Sequence, residues 1–192
     1  MSMAFVLSVT SKGYSLWTGL SKVPLPVFNF TSLEGKQGTN LVTLKDTTAV
    51  AIKQDEHEML LIPETKGKVG YELPTINYSM FNSKKYRYVY GSSIFSQEEL
   101  ANSLIKLDNV TEEMKVWNEG STMYPSEITY IPRPGSTLED DGVLLSVVKD
   151  IEENARDFLL VLDAKTFKVL AKAFVPRSVQ LPTSMHGKFQ RI

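Results

Sequence analysis

The sequence predicts an all-β protein built as a partial β-propeller, on three observations. Apolar residues cluster in runs of strand length bounded by turn formers. No segment carries a sustained 3.6-residue apolar period, and Gln97 to Ser103 reaches a short helical turn at most. The chain also matches itself when shifted by 55 positions.

The clearest strands come late. Val143 to Val148 and Phe158 to Leu162 are nearly continuous apolar runs, too short for free-standing helices, so buried strands fit them best. Thr47 to Ile52 and Glu58 to Ile62 read as two strands joined by the polar turn Lys53-Gln54-Asp55-Glu56-His57, with His57 exposed. Tyr86, Tyr88 and Tyr90 alternate with Arg87 and Val89, which puts the tyrosines on one face of a strand, as sheet packing. Residues 1–37 are poorly assigned: Ala4 to Val9 has the makings of a strand, Pro24 and Pro26 break regular structure, and Trp17 has no motif around it.

The self-match aligns Glu72 with Glu127, Ile76 with Ile131, Leu104 with Leu159, Leu107 with Leu162, Asp108 with Asp163 and Thr111 with Thr166. These are core and turn positions. Aspartate and threonine flanking two residues is good turn chemistry, because the carboxylate accepts from the amides that follow it. Each copy reads as strand, strand, turn, strand with room for a fourth, the pattern of a propeller blade. At ~50 residues per blade the chain of 192 residues makes three to four blades, whereas closed propellers carry about four to eight.

Composition narrows function by exclusion. A formal net charge of -1 leaves no electrostatic footprint for nucleic acid. The absence of cysteine removes disulfides, thiolate catalysis and cysteine metal sites. No run approaches the ~20 apolar residues that span a bilayer. Met1 to Val9 lacks the basic start of a secretory signal, and the segment before Glu34 is serine-rich but has no arginine. A cytoplasmic location is expected, with mitochondria as the alternative.

The residues resemble the carotenoid cleavage oxygenase family, especially its animal branch of β-carotene oxygenases and the retinal pigment epithelium isomerohydrolase. Tyr71-Glu72-Leu73-Pro74-Thr75-Ile76-Asn77-Tyr78 with Lys85 to Gly91 is similar to the family's ELP-x-INY and KPYRYVYG run. Tyr124-Pro125-Ser126-Glu127 with Pro132-Arg133-Pro134-Gly135 is similar to its PSEP and VPRPG run. Glu139 to Val148 resembles EDDGV-x-LSVV, and Phe158 to Lys165 with His186-Gly187 resembles FLLVLDAK and the terminal HG. Gly38 to Val42 fits an upstream GTNLV. The similarity is collinear from Gly38 onward, so residues 38–192 are expected to form the C-terminal part of a seven-bladed propeller.

The resemblance implies one Fe(II) ion held by four histidines, with His186 the fourth ligand, as well as a carotenoid or apocarotenoid substrate cleaved by dioxygen. Imidazole suits ferrous iron, and a neutral ligand leaves the metal its charge. It also implies that Glu72 and Glu127 are the carboxylates that orient ligand histidines, a role that fixes a ring's tautomer and raises its basicity. Their equivalence in the self-match is independent support. Met185 and Ile128 depart from the family pattern, where an aromatic or leucine and a proline are usual. Asp140 and Asp141 before Gly142 read as a solvated turn rather than a calcium site, and Trp117 as core or loop.

Three readings of function follow from the resemblance. The leading one is a C-terminal portion of an iron-dependent carotenoid oxygenase, inactive in isolation because one histidine cannot hold catalytic iron. A non-catalytic propeller module and a retinyl ester isomerohydrolase are the alternatives. Peripheral membrane contact would come through parts of the family fold outside this chain.

Overall fold

The computed structural model describes residues 20–22, 37–42, 45, 47–55, 58–62, 64–66, 72–93, 102–179, 181–182 and 186–190. Expectations for Ala4 to Val9, Trp17, His57, residues 97–101 and Met185 lie outside them. The chain divides into two compact units, Met1–Lys66 and Gly67–Ile192.

The first unit contains β1 (Leu20–Lys22), β2 (Val50–Lys53), β3 (Met59–Ile62) and β4 (Glu64–Lys66). Strands β2 and β3 form the predicted antiparallel hairpin, with Val50 opposite Ile62 and Lys53 opposite Met59. Its turn closes where Asp55 Oδ1 accepts the Glu58 amide at 2.8 Å. Strands β1 and β4 make a second antiparallel pair.

The second unit contains β5 (Glu72–Thr75), α1 (Tyr78–Phe81), β6 (Tyr88–Ser92), β7 (Leu104–Asp108), β8 (Met114–Trp117), β9 (Met123–Pro125), β10 (Thr129–Pro132), β11 (Gly142–Asp150), β12 (Phe158–Asp163) and β13 (Val169–Phe174). They form two antiparallel meanders. One runs β5-β6-β7-β8; the other runs β10-β11-β12-β13, with β9 alongside β10 on the same edge of β11. These are propeller blades, and the 55-residue shift carries one onto the other. The pair Tyr88–Asp108 maps onto Val143–Asp163.

The repeated aspartates build the same turn in both blades. Asp108 Oδ1 accepts the amides of Val110 and Thr111, and Asp163 Oδ1 accepts the Thr166 amide at 2.6 Å and its hydroxyl at 2.7 Å. Each turn ends on a residue in the left-handed region, Glu112 at φ 59 and Phe167 at φ 63, 55 positions apart. The amides of those two residues donate to the Asp108 and Asp163 carbonyls, each at 2.8 Å.

The core lies between the two sheets. Tyr90, Leu104 and Trp117 of the first blade pack with Leu144, Phe158, Leu160 and Leu162 of the second. Fully burying a leucine or phenylalanine contributes about 1.5–3 kcal/mol relative to leaving it exposed. Burial alternates strictly along β12 although its sequence is a continuous apolar run, as expected for a strand. The tyrosines pack as expected: Tyr90 is fully buried and stacks on Tyr130 at 5.8 Å between ring centroids.

Two local expectations change. Strand β6 starts at Tyr88 rather than Tyr86, because the Arg87 and Tyr88 amides both donate to Glu139 Oε1 at 2.7 Å. The stretch after β5 also turns once as α1, four residues too few for an independent helix. That turn is anchored by buried Asn77, whose carbonyl accepts the Phe81 amide and whose side chain donates to the Glu139 carbonyl.

Candidate functional site

Both glutamates of the repeat sit where the inner strand of a blade loses register. In the first blade Glu72 faces Ser92 and Thr75 faces Tyr90, so Leu73 and Pro74 face Gly91 alone. In the second, Pro125 faces Val148 and Thr129 faces Leu145, so Ser126, Glu127 and Ile128 face only Ser146 and Val147. Each inner strand therefore carries one extra residue beside its glutamate. Such a bulge bends the strand and re-aims its side chains, and bulges concentrate next to functional sites. In the first blade the irregularity includes Leu73 at φ 49, an uncommon conformation for a branched residue.

The second bulge points Glu127 at the C-terminal segment. Glu127 Oε2 lies 3.0 Å from His186 Nδ1, and Glu127 Oε1 accepts the Gly187 amide. A carboxylate accepts only, so on neutral imidazole this contact requires the proton on Nδ1. The Glu127 side chain is largely buried, 18% exposed, whereas that of His186 is 76% exposed. A cleft of ≈ 420 Å³ opens here, lined by Thr75, Asn77 and Ser79 of the first blade and by Glu127, Thr129 and His186. Glu72 is half-buried, and among the described residues its carboxylate has no hydrogen-bond partner. The structure thus joins Glu127 to His186 and shows no hydrogen bond from Glu72 to either. Among the described residues no cluster of three or more histidines or acids could hold a metal ion.

The retinal pigment epithelial membrane protein family model matches residues 28–191. The carotenoid-cleaving dioxygenase of Macaca fascicularis mitochondria is 43% identical over 164 residues, covering 82% of this chain and 29% of that protein. The β,β-carotene 15,15'-dioxygenase of Homo sapiens is 38% identical over 152 residues, covering 79% of this chain and 27% of that protein.

The chain belongs to the carotenoid oxygenase family.

A solved apocarotenoid oxygenase mutant from Synechocystis matches with TM-score 0.58 at 22% identity, over 67% of this chain and 27% of that one. At that identity the likeness establishes the shared propeller fold. The chain spans less than a third of the length of these relatives.

In this family member the acids before Gly142 do lie at a turn, but Asp140 is withdrawn from solvent by an ion pair. Glu139 takes the two backbone amides that start β6, Asp140 pairs with Lys106 Nζ at 2.8 Å, and Asp141 pairs with Arg133 at 2.8 Å. Lys106 is buried, and it also donates to the carbonyls of Ala164 at 2.7 Å and Lys165 at 3.1 Å. Its ammonium lies 4.1 Å from the Tyr88 ring centroid. Burial lowers the Lys106 pKa against the opposing pull of Asp140. Burial, reinforced by Asp140, pushes the Tyr130 phenol up to about 12. Gly142 ends this run for a steric reason: a Cβ there would run into the Ile131 carbonyl oxygen.

Sequence reasoning missed Asn77, the Gly187 amide and the serines around the bulge. Each works through a backbone contact that residue type alone does not signal.

Proposed function

We propose that this chain forms the C-terminal part of an Fe(II)-dependent oxygenase that cleaves a carotenoid double bond with dioxygen. The observation that supports this most is Glu127 spanning His186 Nδ1 and the Gly187 amide, in a chain that belongs to the carotenoid oxygenase family. With Nδ1–H donated to a carboxylate, Nε2 carries the lone pair that would ligate iron. The residues present fit one corner of such a site, so the remaining ligands would come from sequence outside this chain. Iron, when bound, would supply the activation of dioxygen. Here Glu127 would set the ring's tautomer and orientation, and the Gly187 contact would hold the segment against the blade. Glu72 would do the same for a histidine contributed from elsewhere. A mitochondrial location fits the similarity to the mitochondrial carotenoid-cleaving dioxygenase. Cleavage is favoured over retinyl ester isomerisation because the relatives at 43% and 38% identity are carotenoid dioxygenases.

The test compares wild type with His186→Ala in the longer protein carrying this chain, by metal analysis and oxygen-dependent apocarotenoid formation. Iron and product are expected to be lost together. Unchanged iron content would remove His186 from the ligand set. Stable wild-type protein with neither iron nor product would favour a non-catalytic propeller module.

A further inference from the structure

The bulge that aims Glu127 is closed by two buried hydroxyls. An extra residue displaces the carbonyl that would ordinarily accept the Val147 amide, and a buried amide without a partner is costly. Ser126 Oγ takes its place, accepting Val147 N–H at 3.1 Å, while the Ser126 amide donates to the Val147 carbonyl at 2.8 Å. Ser146 faces the same bulge from β11, and its hydroxyl donates to the Ser126 carbonyl at 3.0 Å. The other blade adds a third contact: Ser92, opposite Glu72, donates to the Pro125 carbonyl at 3.5 Å. Ser92, Ser126 and Ser146 are all buried. The backbone immediately before Glu127 is thus pinned by side chains, where a regular ladder would use main chain alone.

We propose that Ser126 and Ser146 are positioning residues: their hydroxyls hold the bulge that directs the Glu127 carboxylate onto His186 and Gly187. This deepens the reading of Glu127 and His186 given above and rests on it. Apolar replacements at both positions would fill the space but release the Val147 amide and the Ser126 carbonyl. The strand would then relax toward regular pairing, and regular pairing shifts side chains to the opposite face.

The readout is the protonated ring nitrogen of His186, followed by two-dimensional ¹H–¹⁵N spectra of the chain labelled at its 2 histidines. His57→Gln assigns the second signal. Wild type is expected in the Nδ1–H form. Ser126→Ala and Ser146→Ala are expected to move His186 toward the Nε2–H form, and Ser146→Thr, which keeps the hydroxyl, to restore it. Ser103→Ala is the control: Ser103 is equally buried, and its hydroxyl accepts the Asn118 side-chain amide at 3.0 Å rather than any group of the bulge. It should lower thermal stability without changing the tautomer. If Glu127→Gln shifts the tautomer while both serine-to-alanine variants do not, the serine proposal fails and the Glu127–His186 reading stands. If Glu127→Gln itself changes nothing, both fail. A tautomer shift in Ser103→Ala as large as in the bulge variants would also overturn the proposal, by showing general loosening.

Discussion

The two blades share a plan and differ in what their glutamates meet. Each has the aspartate turn, the left-handed residue after it, and an inner strand with one extra residue beside the glutamate. Glu127 finds His186 within this chain, whereas Glu72 has no partner among the described residues. On the proposed function the repeat would supply equivalent anchor points, and the segment docking on each would decide its use.

The sharpest attempt to break the comparison removes the docked group. His186→Ala in the longer protein is expected to lower apocarotenoid formation by more than about 100-fold, beyond what loss of an orienting partner costs. Product assays with matched metal analysis check this. Next come the glutamates: Glu72→Gln and Glu127→Gln should each lower iron affinity or activity by about 10–100-fold. Equal effects in the longer protein would support two equivalent anchors; an inert Glu72→Gln would break the equivalence.

Smaller effects test how the blades are joined and how their turns differ. Lys106 extends from β7 to Asp140 and to the carbonyls after β12. Lys106→Ala leaves Asp140 unpaired and should destabilise the chain by about 3–5 kcal/mol in urea unfolding. Lys106→Met with Asp140→Leu should recover most of that loss.

The turn aspartates differ in one partner. Arg87 donates to Asp108 Oδ2 at 2.6 Å and 2.9 Å, and among the described residues Asp163 has no such arginine. The Arg87 hydrogen bond is the main cause that holds the Asp108 carboxyl well below its ordinary value of 3.8, against burial. At Asp163, burial works upward and the Thr166 amide and hydroxyl more than offset it. Both carboxyls therefore have depressed folded pKa values. Their stabilisation is fully present above the unfolded carboxylate range and is lost as pH falls through the folded values. Asp108→Asn should cost about 2 kcal/mol at pH 7 and Asp163→Asn about 1 kcal/mol, since hydrogen bonds to charged groups contribute about 1.5–3 kcal/mol and Arg87 is half-exposed. The gap should close as pH drops below about 4, and urea titrations at several pH values measure it. A gap that persists in acid would sink the arginine explanation.

Much of the fold was legible because its signals are local. The short apolar runs of β11 and β12 and the Asp-x-x-Thr turns are properties of adjacent residues. The self-match worked because both blades solve the same turn and core problem. Glu127 and His186 were named through family resemblance, which carries spatial information that composition lacks. The bulges stayed hidden, because an extra residue is defined only against the partner strand. The solvent exposure of Asp140 was misjudged for a related reason: its partner Lys106 comes from another strand.

By itself the sequence determined the strands, the turns and the blade repeat, since period-two burial and side-chain capping act within a few residues. Tertiary structure alone decided where the carboxylates point. Glu127 and His186 are 59 positions apart, and a one-residue register slip sets the direction of the first. Direction on a β-strand reverses with each residue, so it follows from pairing with a neighbour and not from the identity of the side chain.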